Sequence, residues 1–489
     1  DKSELGNLDL NAKLDAEGLK RLKRIIIHNC WQIFANSQVL SFDELHAMLE
    51  DPIQLDLLKT IINTWSLNLG DLSPRPPAQL ILDNPVWDKP LIAINGGVYV
   101  ATPTQLYGCV WNLIEGIFVS VSGGKTAYHE RRSSFLEEQV ERIVRRAFPS
   151  GRVYAGNKWF DENEKKEFEN DLMVILDDFV LVIECKAGQT HDSAWRGGEK
   201  RLKSTIQRLL IEPSVQSARL IDYIEDAPQL VRFQTAHGGT NLVEFPQSPK
   251  VIRLTITLDS IANVFSTGDL VRAGLVGNSD RIAPAMTLPE FDSVLEIIQT
   301  EAQRMHYFSM RNRFESEAQY AGDELDLLSY YDDTRLSILN SAELYLLVGG
   351  STRFDHPFVQ KYLGLSRGPV LTPLPAHFLK ILEKVEKEKM THWVKIHGYV
   401  YDFTAAELEK ILYFIKQSKL GLKPSCILQD LRSEKFTANC GSTVVVACAK
   451  GITCEDVLSK FRQSGDNSNS LLLVYENTKL SALPQVHLL

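Results

Sequence analysis

Two acids and a lysine stand close together in EFENDLMVILDDFVLVIECKAGQ, residues 167–189. Asp171 opens one apolar run, Glu184 and Lys186 close the next, and Asp177-Asp178 separates the two runs. Asp-Asp is a tolerable turn pair, weaker than Asn-Gly. With the turn centred there, Asp171 falls opposite Glu184, and directly opposed residues lie about 5 Å apart at Cβ. The two-residue period of a strand puts Lys186 on the face of Glu184, with Phe179, Leu181, Ile183 and Cys185 on the other face. Two carboxylates so placed repel each other and lose hydration. A divalent cation relieves both costs. Mg²⁺, which takes one or two carboxylates plus water and phosphate oxygens, suits the pair, and Mn²⁺ is expected to substitute. A metal-bound water and a nearby ammonium are what hydrolysis of a phosphodiester needs.

The elements around this hairpin follow from periodicity. SSFLEEQVERIVRRAF has apolar positions at helical spacing before it, and a helical stretch is expected over about residues 197–224 after it. VIRLTITLD reads as a further strand, following a loose segment, HGGTNLVEFPQSPK. Residues 131–265 therefore give the order helix, strand, strand, helix, strand, an α/β sandwich order. The charged run DENEKKEFEN, residues 161–170, reads as a solvated loop, so its Glu164-x-Lys166 is set aside.

Asp171, a gap of about a dozen residues, then Glu184-Cys185-Lys186 at the end of an apolar strand resembles the PD-(D/E)XK nuclease superfamily, closest to its nuclease-related and Mrr-like branches through LVIECKAG. The resemblance implies a restriction-endonuclease-like α/β core flanked by helical and α+β regions. It implies Asp171 and Glu184 as metal ligands, the backbone carbonyl of Cys185 as a third, and Lys186 as activator of the attacking water. Members also carry a Glu on the first core helix; Glu137 is chosen, with Glu138 and Glu141 as rivals. Some carry a Gln on the following helix, where Gln216 and Gln207 compete. The family's Pro before the Asp is here Asn170.

Charge fits a nucleic-acid substrate locally. Arg196, Lys200, Arg201, Lys203 and Arg208 follow the motif, and Arg131, Arg132, Arg142, Arg145 and Arg146 mark the first helix, an expected basic rim. DNA is the expected partner ahead of RNA. A homo-oligomer or a protein partner could use the flanking regions. The rival reading is an inactive nuclease-fold scaffold; a role in defence against foreign DNA rests on family analogy for either.

Whole-chain properties set the frame. The 489 residues carry a formal charge of −9, so the chain is not basic overall. Seven cysteines without a CxxC pair exclude a zinc ribbon and fit a reducing cytoplasm. No signal peptide or membrane span is expected. Residues 1–130 read as an N-terminal α/β or mostly helical region, with helices over Glu17–Trp31 and Ser41–Trp65, a Pro-rich break over 73–77 and a hairpin turning at Asn95-Gly96-Gly97. Residues 266–360 read as helical, with Leu288–Phe314 as one amphipathic helix whose Met305, His306, Tyr307 and Phe308 are core. Residues 361–489 read as α+β, with a loop at 465–470. Ser122-Gly123-Gly124-Lys125-Thr126 lacks the earlier glycine of a phosphate loop and reads as a surface turn.

Overall fold

The computed structural model describes residues 16–37, 39–49, 54–74, 84–87, 89–94, 96–100, 103–161, 164–190, 194, 198–226, 229–235, 238–260, 266–277, 282–337, 345–388, 390–421, 430–438, 443–450, 454–463, 470–475 and 483–489. Arg196, Asn95, most of the Pro-rich break and residues 465–469 lie outside this set. The fold is mixed α/β. Described residues of Asp1–Tyr128 with Arg196–Gly198 form one compact unit, and those of His129–Trp195 with Glu199–Leu489 form another.

In the first unit, helices α1 (Ala16–Ser37), α2 (Phe42–Ala47), α3 (Leu55–Thr64) and α4 (Pro103–Ser120) accompany strands β1 (Val39–Ser41), β2 (Ser66–Asn68), β3 (Leu91–Ile94) and β4 (Gly97–Val100). The strands form one sheet in the order β1-β4-β3-β2. Ser41 and Glu44 build a reciprocal cap that starts α2, so Ser41–Trp65 is two helices rather than one. The Gly-rich stretch at 122–126 turns only as far as Gly123; Gly124 begins helix α5 (Gly124–Ala147).

The second unit is built on a seven-stranded sheet. Its strands are β5 (Arg152–Asp161), β6 (Lys166–Leu176), β7 (Phe179–Lys186), β8 (Leu230–Thr235), β9 (Thr240–Glu244), β10 (Lys250–Thr257) and β11 (Ala285–Thr287), in the order β11-β10-β7-β6-β5-β8-β9. Strands β5, β6 and β7 run as an antiparallel meander, and β10 lies parallel to β7. Strand β7 has neighbours on both edges and both faces covered, which is why FVLVIEC reads as an unbroken apolar run. Three expectations are corrected here. The charged run at 161–170 supplies the ends of β5 and β6 around a Glu164-Lys165 turn, with Lys158 paired to Glu169 across the strands at 3.3 Å. Strand β5 escaped the sequence reading because its polar residues mask the alternation. The loose segment after residue 236 contains β9, held by the β8 ladder.

Side chains from alternate positions of β7 enter two different cores. Leu181 and Ile183 join the larger cluster with Leu136, Val140 and Val144 of α5; Val180 and Val182 join a smaller one with Leu220 and Ile224. The latter pair come from α7 (Glu212–Asp226), which follows α6 (Glu199–Ile206) through a π-helical turn, Gln207–Ile211. Each such fully buried aliphatic side chain contributes about 1.5–3 kcal/mol.

The larger cluster continues without a break into the rest of the unit. It takes in α9 (Leu288–Ile297), α10 (Glu301–Glu317), α11 (Glu324–Thr334), α13 (Ala376–Lys387), α14 (Trp393–Tyr401) and α15 (Ala405–Gly421), together with β15 (Thr443–Lys450) and β16 (Ser470–Tyr475). Shorter elements complete the unit: α8 (Thr267–Arg272), α12 (Thr352–Tyr362), α16 (Cys454–Gln463), β12 (Gln319–Ala321), β13 (Tyr345–Leu347), β14 (Asp430–Thr437) and β17 (Gln485–Leu488). The expected boundaries at 265/266 and 360/361 therefore fall inside one compact unit, because β11 extends the same sheet and one core is shared. Leu288–Phe314 is two helices, since Ile298 leaves the helical region and Thr300 caps α10. Met305, His306, Tyr307 and Phe308 are all buried, as core packing requires.

The pleat slips by one residue near the end of the meander. Tyr154 and Met173 pair across β5 and β6 and face the smaller core, and so do Trp159 and Phe168, five residues further along each strand. Five residues would reverse the face in a regular strand. The slip falls at Gly156, whose φ is +59°, and at Asp171 opposite it, where the ladder skips a pair. Only glycine adopts that backbone cheaply. Gly156→Ala is expected to cost about 1–2 kcal/mol, the penalty of a left-handed non-glycine residue. It should lower the urea midpoint read by tryptophan fluorescence, since Trp159 lies three residues away; an unchanged midpoint would contradict the assigned role.

Candidate functional site

The hairpin register puts the acids together. Leu172 pairs with Ile183 and Leu176 with Phe179, so the next position along brings Asp171 opposite Glu184. The ladder stops there. Instead of a backbone partner, the Cys185 N–H donates to Asp171 Oδ2 at 2.6 Å. The N–H and C=O of one strand residue point to the same edge. The carbonyl of Cys185 is thus directed to the Asp171 side, while Lys186 presents its carbonyl to Leu258 N at 3.4 Å. The Cys185 thiol is buried in the larger core, and burial pushes its pKa far up, so any role of this residue belongs to its carbonyl.

The two carboxyls lie within hydrogen-bonding reach of each other, a contact that raises Glu184 and lowers Asp171. Burial is the largest cause raising the Glu184 carboxyl well above its ordinary range, and the charge of Asp171 comes next. Asp171 is raised as well, by burial, against the lowering pull of the Cys185 N–H and of Lys186. Asn170 steadies Glu184: its Nδ2 donates to Glu184 Oε1 at 2.9 Å and to the Ile183 carbonyl at 3.3 Å. Asn170 is fully buried, and its Oδ1 has no protein partner among the described residues. Lys186 Nζ donates to Gln216 Oε1 at 2.6 Å, which brings Gln216 to the site, while Gln207 lies in the π-helical turn.

Among the helix α5 acids, Glu138 pairs with Arg131 at 3.2 Å and Glu141 with Arg145 at 2.7 Å. Glu137 is the one that feels the site. Its carboxyl is pushed up to about 7, first by desolvation and then by Asp171 and Glu169. It is exposed and is not among the residues that line the cleft.

Asp171, Glu184, Lys186 and Gln216 line a cleft of about 350 Å³ together with Trp159, Lys166, Glu167, Phe168, Glu169 and Arg219. The expected basic rim does not line it. Arg132 donates to the Ala187 carbonyl and to Asp259, Arg146 pairs with Asp292, Lys203 with Glu199, and Arg208 donates to the Gln189 carbonyl. Cations of the cleft wall are Lys166, Lys186 and Arg219. Sequence reasoning missed Asn170, Phe168, Lys166 and Arg219. Only Arg219 left a signal, since three residues after Gln216 puts it on the same helix face.

The donor set fits a small hard cation: two carboxyl groups and a carbonyl, all oxygen, with acids whose repulsion a cation would relieve. Among the described residues, three side chains whose ligand atoms lie within 4.8 Å of one another occur elsewhere, at Asp177, Asp178 and His392. That trio sits about 20 Å away at the other end of the hairpin, at roughly 3.3 Å per strand residue. Protein donors already serve it: Val394 N–H donates to Asp177 at 2.9 Å, and His392 pairs with Asp178.

No protein-family model and no curated protein matches the chain. Among solved structures, protein VC1899 from Vibrio cholerae is similar at 12% identity and a TM-score of 0.16, over 50% of this chain and 46% of that protein. The chain thus spans less than half of that protein's length, and a likeness so slight carries no argument about the site. Among the described residues no helix is long and apolar enough to cross a membrane.

The raised carboxyls make stability depend on pH with a definite sign. Glu184 binds its proton more tightly in the folded chain than its ordinary value of 4.5. Its ionisation therefore opposes folding: the penalty is absent below the ordinary value and grows as pH rises through the folded one. Glu184→Gln should raise the melting temperature of the EDTA-treated protein at pH 8 and leave it nearly unchanged at pH 4. Differential scanning fluorimetry at both pH values checks this; a variant less stable than wild type at pH 8 would contradict it.

Proposed function

We propose that the chain is a metal-dependent nuclease that hydrolyses phosphodiester bonds, of DNA ahead of RNA. One observation carries the reading: the buried Glu184 carboxyl and the half-buried Asp171 carboxyl stand within hydrogen-bonding reach of each other, beside an amine from the same strand, in an open cleft. The element order supports it, since helix, three-strand meander, helix and a strand parallel to β7 is what a PD-(D/E)XK core requires. Asp171, Glu184 and the Cys185 carbonyl would hold Mg²⁺ or Mn²⁺, which supplies a water of lowered pKa and positive charge for the phosphoryl oxygens.

The chain's own groups do the rest. Lys186, held by Gln216, orients the attacking water through an Nζ–H hydrogen bond or stabilises the oxygen on which charge develops. Asn170 keeps Glu184 aimed into the cleft. Desolvation and the nearby acids push the Glu137 carboxyl up to about 7, which would suit it to take a proton at its carboxylate.

A second reading, an inactive binding protein on the same core, has one observation in its favour. The contact between Glu184 and Asp171 and the bonds from Asn170 to Glu184 and from Lys186 to Gln216 let these groups satisfy one another. Calorimetry separates the two: wild type should bind Mn²⁺, and Asp171→Ala should not.

The direct test is incubation of the purified protein with linear, circular and single-stranded DNA and with RNA, in Mg²⁺, in Mn²⁺ and in EDTA. Metal-dependent cleavage by wild type is expected, with a loss of at least about 100-fold in Lys186→Ala, the scale of removing one general acid–base or charge-stabilising group. Absence of cleavage across the whole panel would remove the nuclease reading.

A further inference from the structure

Lys166 and Arg219 share one aromatic ring at the cleft wall. The Arg219 guanidinium carbon lies 4.0 Å from the Phe168 ring centroid, and Lys166 Nζ lies 5.4 Å from it. The ring is itself backed by Trp159 at 6.0 Å, and Trp159 by Tyr223 at 5.7 Å. Phe168 is thus a fixed platform that holds two positive charges in place. Glu164 accepts from Arg219 Nε at 3.1 Å, which sets the plane of the guanidinium. Its two Nη groups, and the Lys166 ammonium, have no carboxylate partner among the described residues. The nearby Glu169 does not neutralise them, because it is paired with Lys158. Glu167 also lines the wall. A planar fork with free N–H groups next to an ammonium is the chemistry that recognises a phosphate.

We propose that Lys166 and Arg219 form a second anion subsite, which holds a phosphate flanking the one that reacts at Asp171 and Glu184. The substrate class follows: a strand with at least two charged phosphodiesters, and not an isolated phosphate ester. The inference rests on the nuclease reading for the identity of the strand, and on the wall geometry alone for the subsite.

Binding is measured apart from cleavage, by fluorescence anisotropy of a labelled single-stranded oligonucleotide with the full chain in EDTA at pH 6, over a range of salt. Arg219→Gln and Lys166→Gln should each weaken binding about 5- to 20-fold. Each should also flatten the slope of log K against log salt by about 0.7, the value for one phosphate contact on a single strand. Arg219→Lys and Lys166→Arg, which keep the charge and guard against a misfolded variant, should retain most of the slope. Lys410→Gln, on the exposed face of α15, should match wild type. A strand with one charged linkage among neutral methylphosphonates already lacks the flanking phosphate, so wild type and the Gln variants should bind it equally. Wild-type slopes in both Gln variants would overturn the subsite even if the protein cuts DNA. Flattened slopes in a protein that cuts nothing would leave the subsite standing and remove the nuclease reading.

Discussion

The carboxylate of Asp171 takes the N–H of Cys185 where the ladder between β6 and β7 ends. A backbone donor that close to a strand end would otherwise face a cleft or another strand. By giving it a side-chain acceptor, the chain closes the sheet and opens the site at the same residue. Everything nearby is ordered by that bond. It fixes which way the Cys185 carbonyl points, brings Asp171 against Glu184, and leaves Lys186 free to cross to Gln216 on α7. The slip at Gly156 belongs to the same arrangement, since it relaxes β5 where β6 departs from regular pleating.

The arrangement is electrostatically expensive in isolation. Glu137, Asp171 and Glu184 all hold their protons more tightly than ordinary carboxyls, and desolvation is the leading cause in each. Burial of unlike partners would have been cheaper. Clustering of acids with shifted titration is common at functional sites, where stability is given up for chemistry. The aromatic stack of Phe168, Trp159, Tyr223 and Phe233 lies directly under the cleft wall and supplies rigidity that the acids do not.

Much of the site's placement was legible because it depends on a short-range count. The turn at Asp177-Asp178 and a two-residue period are enough to set Asp171 opposite Glu184, and the structure has that register. Gln216 was legible as one of a pair of alternatives, and only tertiary geometry brings it to Lys186. Strand β5 and the first half of β6 were not legible, since their polar residues face solvent or the cleft and their alternation slips at Gly156. The basic rim was misplaced because charge counts along a helix ignore the carboxylates and carbonyls that meet those side chains in space. The extent of the second unit was hidden too, as a core shared between residues 136 and 486 leaves no mark in local sequence.

The Asp177-Asp178 turn is gripped from outside its sheet, by the Val394 N–H and by His392 at the start of α14. Asp177 has a φ of +53°, so the turn is tight as well as anchored. Its two residues act as a gauge from which the distance to Asp171 and Glu184 is measured on both strands. One inserted residue would shift the strands past each other by a position and free the start of α14 in the same event. The opposite end of β6, where Glu164 and Lys165 are exposed, carries no such grip on the Asp171–Glu184 register.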